Sequence, residues 1–272
     1  MYIYCERRSN DREDFIEDSI QLRHAIKHGV VAYKEGLDIT GKKVIGHGKT
    51  PPGNPLWPNR QQVNLASAYF NTKTFKEYAR REFKICKFAP DAIVATIEEM
   101  GLNKAAIKHI GPKQTPLCFL KTTKDVVNQL YDFYEYEFAR LDGDNCLVQE
   151  FVTMYNEYRV FVVDGKPITG AGCVEDDTPL ENVHLFNHCM QKVRGHSPSL
   201  GYKDLAQEYK FAAKALARSF AQEGLRDYAL DLFYHPDSKT IGIIELNPIS
   251  HSGFYAIDYS RLFEAIHNYG EM

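Results

Sequence analysis

Asp231-Leu232-Phe233, a short polar turn, and Ile241-Gly242-Ile243-Ile244-Glu245-Leu246-Asn247-Pro248 read as a β-hairpin whose apolar run is broken by three oxygen-bearing side chains. Residues two apart in a strand share a face, so the spacing predicts that Ile241, Ile243, Glu245 and Asn247 point the same way. A three-residue connection at Asp237-Ser238-Lys239 then sets Asp231 opposite Glu245. Two carboxylates facing each other across a ladder repel unless a cation sits with them. Two carboxylates and an amide oxygen form a hard-oxygen set suited to Mg²⁺, with Mn²⁺ as a substitute. That set points to magnesium–nucleotide chemistry.

The remaining sequence is that of an ordinary globular protein. Its 272 residues suffice for one large domain or for two or three fused lobes with ample core. At 44% hydrophobic, 25% charged and a net charge of −3, nothing favours general nucleic-acid or membrane binding. The start, Met1-Tyr2-Ile3-Tyr4-Cys5-Glu6-Arg7-Arg8, reads as a strand rather than a signal core, and no run reaches the roughly 18 apolar residues of a membrane span. Cys5, Cys86, Cys118, Cys146, Cys173 and Cys189 are scattered without a Cys-x-x-Cys pair. Such spacing fits reduced thiols and a cytoplasmic location.

Three units are expected. Residues 1–60 form a small α/β domain: a strand at Tyr2–Cys5, an amphipathic helix closed by Gly29, short strands at Val30–Tyr33 and Val44–Ile45, then a proline-rich loop. In residues 61–146, Thr74-x-x-Glu77 resembles a capping box opening a helix to about Phe83. A strand at Ile85–Ala89, a helix at Ile93–Met100, a strand at Pro116–Lys121 and a helix at Lys124–Phe138 follow. Residues 147–272 are richer in strands, at Leu147–Met154, Tyr158–Val163 and Pro167–Val174, with an Asp164-Gly165 turn. A long helix at Asp204–Glu223 ends on Gly224, the hairpin follows, and Asp258 caps a last helix.

Several side chains carry chemistry beyond the hairpin. Gly48-Lys49-Thr50 imitates the end of a P-loop, but Lys43 stands where the first glycine belongs and Pro51-Pro52 blocks the required helix. Lys121 ends an apolar strand on the face of Leu117 and Phe119; such a lysine either meets an anion or reaches outward into solvent. Gln149-Glu150 interrupts an apolar strand, fitting either an adenine-reading edge or a polar face in water. Arg159 lies among Phe161 and Val163 and calls for a fixed anion: Glu245, another structural partner or nucleotide phosphates.

Taken in order, Lys73, Lys121, Gln149-Glu150, the run Glu157–Pro167, Asp231 and Glu245-Leu246-Asn247 resemble the ATP-grasp superfamily, and the chain is most similar to its amidoligase-like members, which include phage-encoded ones. The resemblance runs from about Leu65 to Ser260. It implies an α/β fold in which two grasp lobes, 61–146 and 147–272, clamp ATP behind a pre-grasp domain at 1–60. It further implies that Lys73 and Lys121 contact phosphates and that Gln149, Glu150, Phe151 and Val152 meet adenine. Glu157 and Arg159 would lie near the nucleotide, Arg159 and Lys121 serving the transferred phosphate, while Asp231, Glu245 and Asn247 hold Mg²⁺. Lys76 and Lys87 rival Lys73. One departure is the glycine- and serine-rich lid common in the family: after Lys121 come Thr122-Thr123-Lys124 and a helix, with Gly143 the sole glycine before Leu147.

The implied activity is ATP-dependent carboxylate–amine ligation through an acylphosphate, with small-molecule or peptide substrates. The rivals are a kinase on the same fold and a nucleotide-binding protein without turnover. Arg194, His196, His251 and Ser252 are the substrate-side candidates, with His184 beside them. The expected location is the cytoplasm, of the host if the chain is phage-encoded. Oligomeric state and substrate identity have no signature here.

Overall fold

The computed structural model describes residues 65–110, 118–121, 125–141, 143–172, 202–235, 238–249, 252–253 and 257–269, with strands at 2–4, 31–32, 43–45 and 186–187 and residues 26, 27, 29 and 38. The chain divides into two compact units. One gathers Met1–Leu65, Asn71–Tyr78 and Met154–Met272; the other gathers Ala66–Phe70 and Ala79–Thr153. The fold class is mixed α/β with two largely antiparallel sheets, as the resemblance implies.

The larger unit opens with three short parallel strands, β1 (Tyr2–Tyr4) between β2 (Val31–Ala32) and β3 (Lys43–Ile45). Most of the helix expected before Gly29, and the proline-rich loop, lie outside the described residues. The main sheet has the order β10-β9-β8-β11-β12, with β8 at Tyr155–Val163, β9 at Lys166–Gly172, β10 at Phe186–Asn187, β11 at Tyr228–His235 and β12 at Thr240–Asn247.

The helix α5 (Tyr202–Gln222) packs across this sheet. Its Leu205, Tyr209, Ala213, Leu216, Ala217 and Phe220 recur at helical spacing and are buried. Tyr209 stacks on Tyr158 at 4.7 Å between ring centroids, and Phe220 meets Tyr228 edge-on. Each such side chain contributes about 1.5–3 kcal/mol by leaving water. Gly224, at φ +87°, ends the helix, and Asp258 caps α6 (Tyr259–Tyr269) by accepting the Arg261 N–H at 3.1 Å. The β8–β9 turn falls at Asp164-Gly165, both at positive φ, where a Cβ on Gly165 would meet the Ala221 Cβ at 2.9 Å.

The expected capping box falls one turn off. Helix α2 runs Lys73–Tyr78, not to Phe83, and Thr72 is its cap, its Oγ1 accepting the Phe75 N–H at 3.1 Å. Thr74 lies inside the helix, and its N–H and hydroxyl donate to Glu223 rather than meeting Glu77. A carboxylate delivered from the end of α5 satisfies the amides that Glu77 was expected to serve.

The smaller unit is an antiparallel sheet of order β4-β7-β5-β6, with β4 at Phe83–Lys87, β5 at Lys104–Ile110, β6 at Cys118–Lys121 and β7 at Asn145–Glu150. Helices α3 (Pro90–Met100) and α4 (Val126–Arg140) complete its core, and α1 (Leu65–Phe70) joins the two units in sequence. Alternation directs Ala105, Ile107, Cys118, Leu120, Cys146 and Val148 into one core with Ile93, Ile97, Leu130 and Tyr134. Strand β5, central in this sheet, has no counterpart among the expected elements. Among the described residues no helix is long and apolar enough to cross a membrane.

Candidate functional site

Three neighbouring strands of the larger unit bring the hairpin's polar side chains together. Register sets Asp231 of β11 opposite Arg159 of β8 on one side and opposite Glu245 of β12 on the other. The route differs from the expected one. His235 pairs Thr240, so the connection spans 236–239 and is one residue longer, and a β-bulge after the Leu232–Ile243 pair leaves Ile244 as the extra residue. The two irregularities compensate, and Asp231 still meets Glu245. The bulge also corrects the shared face. Ile241 and Ile243 pair with Tyr234 and Leu232, on the side of the sheet opposite Asp231, while Glu245 and Asn247 stay on the side of Asp231.

Arg159 answers Asp231 with two parallel hydrogen bonds, Nε to Oδ1 at 2.6 Å and Nη2 to Oδ2 at 2.8 Å. Its Nη1 donates to the Gly253 carbonyl at 3.0 Å, which ties the residues after the hairpin to the same guanidinium. Of the partners left open from the sequence, the structure selects Asp231. Both side chains are about nine-tenths buried, so the fork–carboxylate geometry works with little water to screen it. Asn247 Nδ2 donates to Asp231 Oδ2 at 2.8 Å and to Glu245 Oε1 at 2.6 Å. Glu157, half-buried, lies two residues before Arg159 and therefore on its face.

The donor set fits a hard divalent cation. Carboxylate oxygens from two strands converge on one amide nitrogen, a compact negative pair that only one guanidinium offsets. Among the described residues no three His, Cys, Asp or Glu side chains gather for a metal, so this set is two carboxylates completed by an amide. Ser252 is fully buried, and its hydroxyl donates to the Pro248 carbonyl at 2.8 Å, closing the turn after β12. Arg194, His196, His251 and His184 lie outside the described residues.

The smaller unit collects the residues expected at the nucleotide base and phosphates on the sheet face that α3 and α4 leave uncovered. Lys121 and Phe119 are exposed there, and Lys121 pairs across the ladder with Lys104. Lys104 Nζ lies 3.2 Å from the centroid of Phe151, whose ring meets Phe119 edge-on at 5.3 Å. Gln149 is buried, its Oε1 accepting the Arg81 Nε–H at 2.7 Å; burial pulls the Arg81 guanidinium down to about 10. Glu150 is exposed and Val152 half-buried. The N–H groups of Glu150 and Phe151 donate to the carbonyls of Glu82 and Lys104.

The three lysines weighed for the first phosphate contact are placed differently. Lys73 opens α2 in the larger unit with its side chain exposed and its amide donating to Glu223 at 2.7 Å. Lys76 is exposed on the same helix, whereas Lys87 donates its ammonium to the Gly143 carbonyl at 2.7 Å. Lys104 and Arg81 are missing from the sequence expectations. The signal for Lys104 was the alternation of Lys104-Ala105-Ala106-Ile107-Lys108, a strand facing Lys121; for Arg81 the sequence holds no comparable signal.

Comparison with known proteins follows the same line. The family model that matches is an ATP-grasp domain, the second family of its clade, and it covers residues 95–265, more than half of the chain. The protein belongs to the ATP-grasp superfamily. The matched stretch holds Lys104, Lys121, Gln149, Glu150, Arg159, Asp231, Glu245 and Asn247; Lys73 and Arg81 precede it. No curated protein matches the sequence.

Solved structures similar to this ATP-grasp protein include D-alanine–D-alanine ligase from Bacillus anthracis, at a TM-score of 0.55 and 11% identity, covering 100% of this chain and 97% of that one. The macrocyclase MdnC from Microcystis aeruginosa MRC, bound with precursor peptide MdnA, gives 0.51 and 12%, covering 98% of each chain. The ATP-grasp ligase PsnB, complexed with minimal precursor, Mg and ADP, gives 0.50 and 13%, covering 100% and 98%. At these identities the likeness shows the ATP-grasp fold.

Proposed function

We propose that this ATP-grasp protein is a Mg·ATP-dependent carboxylate–amine ligase acting on peptide or small-molecule substrates. One observation carries the reading: Asp231 and Glu245 share the Asn247 amide beside a bidentate Arg159, a metal-ready set on adjacent strands of an ATP-grasp fold. Asp231, Glu245 and Asn247 would hold Mg²⁺, which when bound supplies the charge that offsets the nucleotide's phosphates. Arg159 fixes Asp231 in position and adds positive charge where phosphate charge develops. Lys121 and Lys104, with Lys73, supply further cations for the phosphates. Phe151, Val152 and the Glu150 carboxylate offer an apolar and polar edge for adenine.

In the reaction, a carboxylate oxygen of one substrate attacks the γ-phosphorus of ATP. The bond to the bridging oxygen breaks, and ADP leaves. The amine of the second substrate then attacks the acyl carbon, loses a proton, and releases inorganic phosphate as the amide forms. No protein nucleophile is needed. Peptide substrates are favoured because MdnC and PsnB, which share the fold, are seen with precursor peptides.

The test is ADP release from Mg·ATP against pools of amino acids, peptides and polyamines, comparing wild type with Glu245→Gln and Lys121→Ala. Pool-dependent release, lost in both variants, with an amide found by mass spectrometry, is the expected result. A phosphoester product makes the protein a kinase. ATP binding without release in any pool makes it a nucleotide-binding protein.

A further inference from the structure

Cys86 and Cys146 lie sixty residues apart in sequence, yet stand directly opposite each other on β4 and β7, with their sulfurs 3.5 Å apart. The ladder bonds from Phe88 N–H to Asp144 and from Glu150 N–H to Glu82, each an even number of residues away, make theirs a hydrogen-bonded pair. Such pairs hold their Cα atoms about 5.5 Å apart, within the range most frequent in disulfides. Closing the bond draws the sulfurs together by about 1.5 Å, a shift that side-chain rotation provides without unpairing the strands.

The two thiols are also unequal in a useful way. Cys86 is half-buried and Cys146 fully buried. The hydrogen bond from Cys146, aided by one from Thr96, holds the Cys86 thiol below its ordinary range. The same bond, with burial, keeps the proton on Cys146. The accessible sulfur is therefore the one disposed to become thiolate, and a second sulfur waits in contact behind it. Cys118, in the same core, is pushed up to about 11 by burial.

The geometry points to Cys86 and Cys146 as a reversible redox modification site: a peroxide oxidises the pair to a cross-strand disulfide, and a dithiol reductant reopens it. The Cys86 thiolate attacks one peroxide oxygen, the O–O bond breaks, and a sulfenic acid forms with release of water. The Cys146 sulfur then attacks the sulfenic sulfur, gives up its proton, and displaces a second water as the S–S bond closes. Two thiols lose two electrons in total, and one hydrogen peroxide becomes two waters. The bond staples β4 to β7, the strand that ends on Gln149 and Glu150.

The test treats the full chain with hydrogen peroxide, alkylates remaining thiols under denaturing conditions, and maps peptides by mass spectrometry without reduction. The expected product is one Cys86–Cys146 cross-linked peptide, lighter than the two free peptides by two hydrogens. It disappears with dithiothreitol and in Cys86→Ser, while Cys118 is alkylated throughout. Both cysteines recovered as free thiols overturn the proposal. So does Cys86 recovered as a sulfinic acid or joined to another cysteine. The wild-type map decides the matter even if a variant folds poorly.

Discussion

Arg159→Met isolates what the buried ion pair does. The substitution keeps an unbranched apolar stem but deletes both bonds to Asp231, at 2.6 and 2.8 Å, and the bond to Gly253. Asp231 is left with a side chain 10% exposed, facing Glu245 across the ladder with only the Asn247 amide between them. Removing one partner of a buried pair costs about 3–5 kcal/mol, because the remaining charge keeps its desolvation penalty. Asn247 still donates to Asp231, so the lower end, about 3 kcal/mol, is expected. That lowers the thermal midpoint by about 6–12 °C, at roughly 2–4 °C per kcal/mol for a chain of this size. Adding Mg²⁺ supplies the missing positive charge, so the midpoint rises more in Arg159→Met than in wild type. The assay is thermal unfolding followed by circular dichroism, with EDTA and across a Mg²⁺ series. A variant within about 0.5 kcal/mol of wild type in EDTA would refute the reasoning, since changes that small are ordinary at surfaces.

Lys121→Ala removes one charged contact from the proposed phosphate site and should weaken Mg·ATP binding by about 1.5–3 kcal/mol, roughly ten- to a hundredfold, in titration calorimetry; an unchanged Kd removes Lys121 from the phosphates. Gly165→Ala forces a Cβ to 2.9 Å from the Ala221 Cβ at φ +69°, so a loss of about 2 kcal/mol or more in urea unfolding is expected, and a neutral result contradicts the turn geometry. Burial pushes the Glu223 carboxyl up, but the hydrogen bonds from Thr74 and the Lys73 amide outweigh it and leave it below its ordinary value. A folded-state value below the unfolded one stabilises above the unfolded pKa, about 4.3, and that support is lost as pH falls through the folded value. Wild type and Glu223→Gln should therefore separate in unfolding midpoint above about pH 5 and converge in acid; parallel curves would show that this carboxylate is not coupled to the start of α2.

The hairpin was legible because acids in an otherwise apolar alternation are costly enough to be conspicuous. The bulge at Ile244 was not, since it depends on how β12 pairs with β11 rather than on composition. Two errors cancelled in the pairing of Asp231 with Glu245, whereas the face of Ile241 and Ile243 had no such compensation. Strand β5 escaped because Lys104 and Lys108 occupy one face and Ala105 and Ala106 are poor strand signals, although Ile107 lies in the core. The cap of α2 was displaced because Glu223 arrives from 150 residues away. The cysteine pair was invisible for the same reason: scattered spacing in the chain says nothing of cross-strand neighbours. Arg159 announced that it needed an anion, but only the β8–β11 register identifies that anion as Asp231.

The most direct measurement follows oxygen rather than nucleotide. A carboxylate substrate found by the pool screen is labelled with ¹⁸O in its carboxylate and turned over with Mg·ATP and the amine. Attack of that carboxylate on the γ-phosphorus places one labelled oxygen in each inorganic phosphate released. The account predicts that transfer, and its loss in Glu245→Gln. Unlabelled phosphate accompanying amide formation would contradict the acylphosphate route.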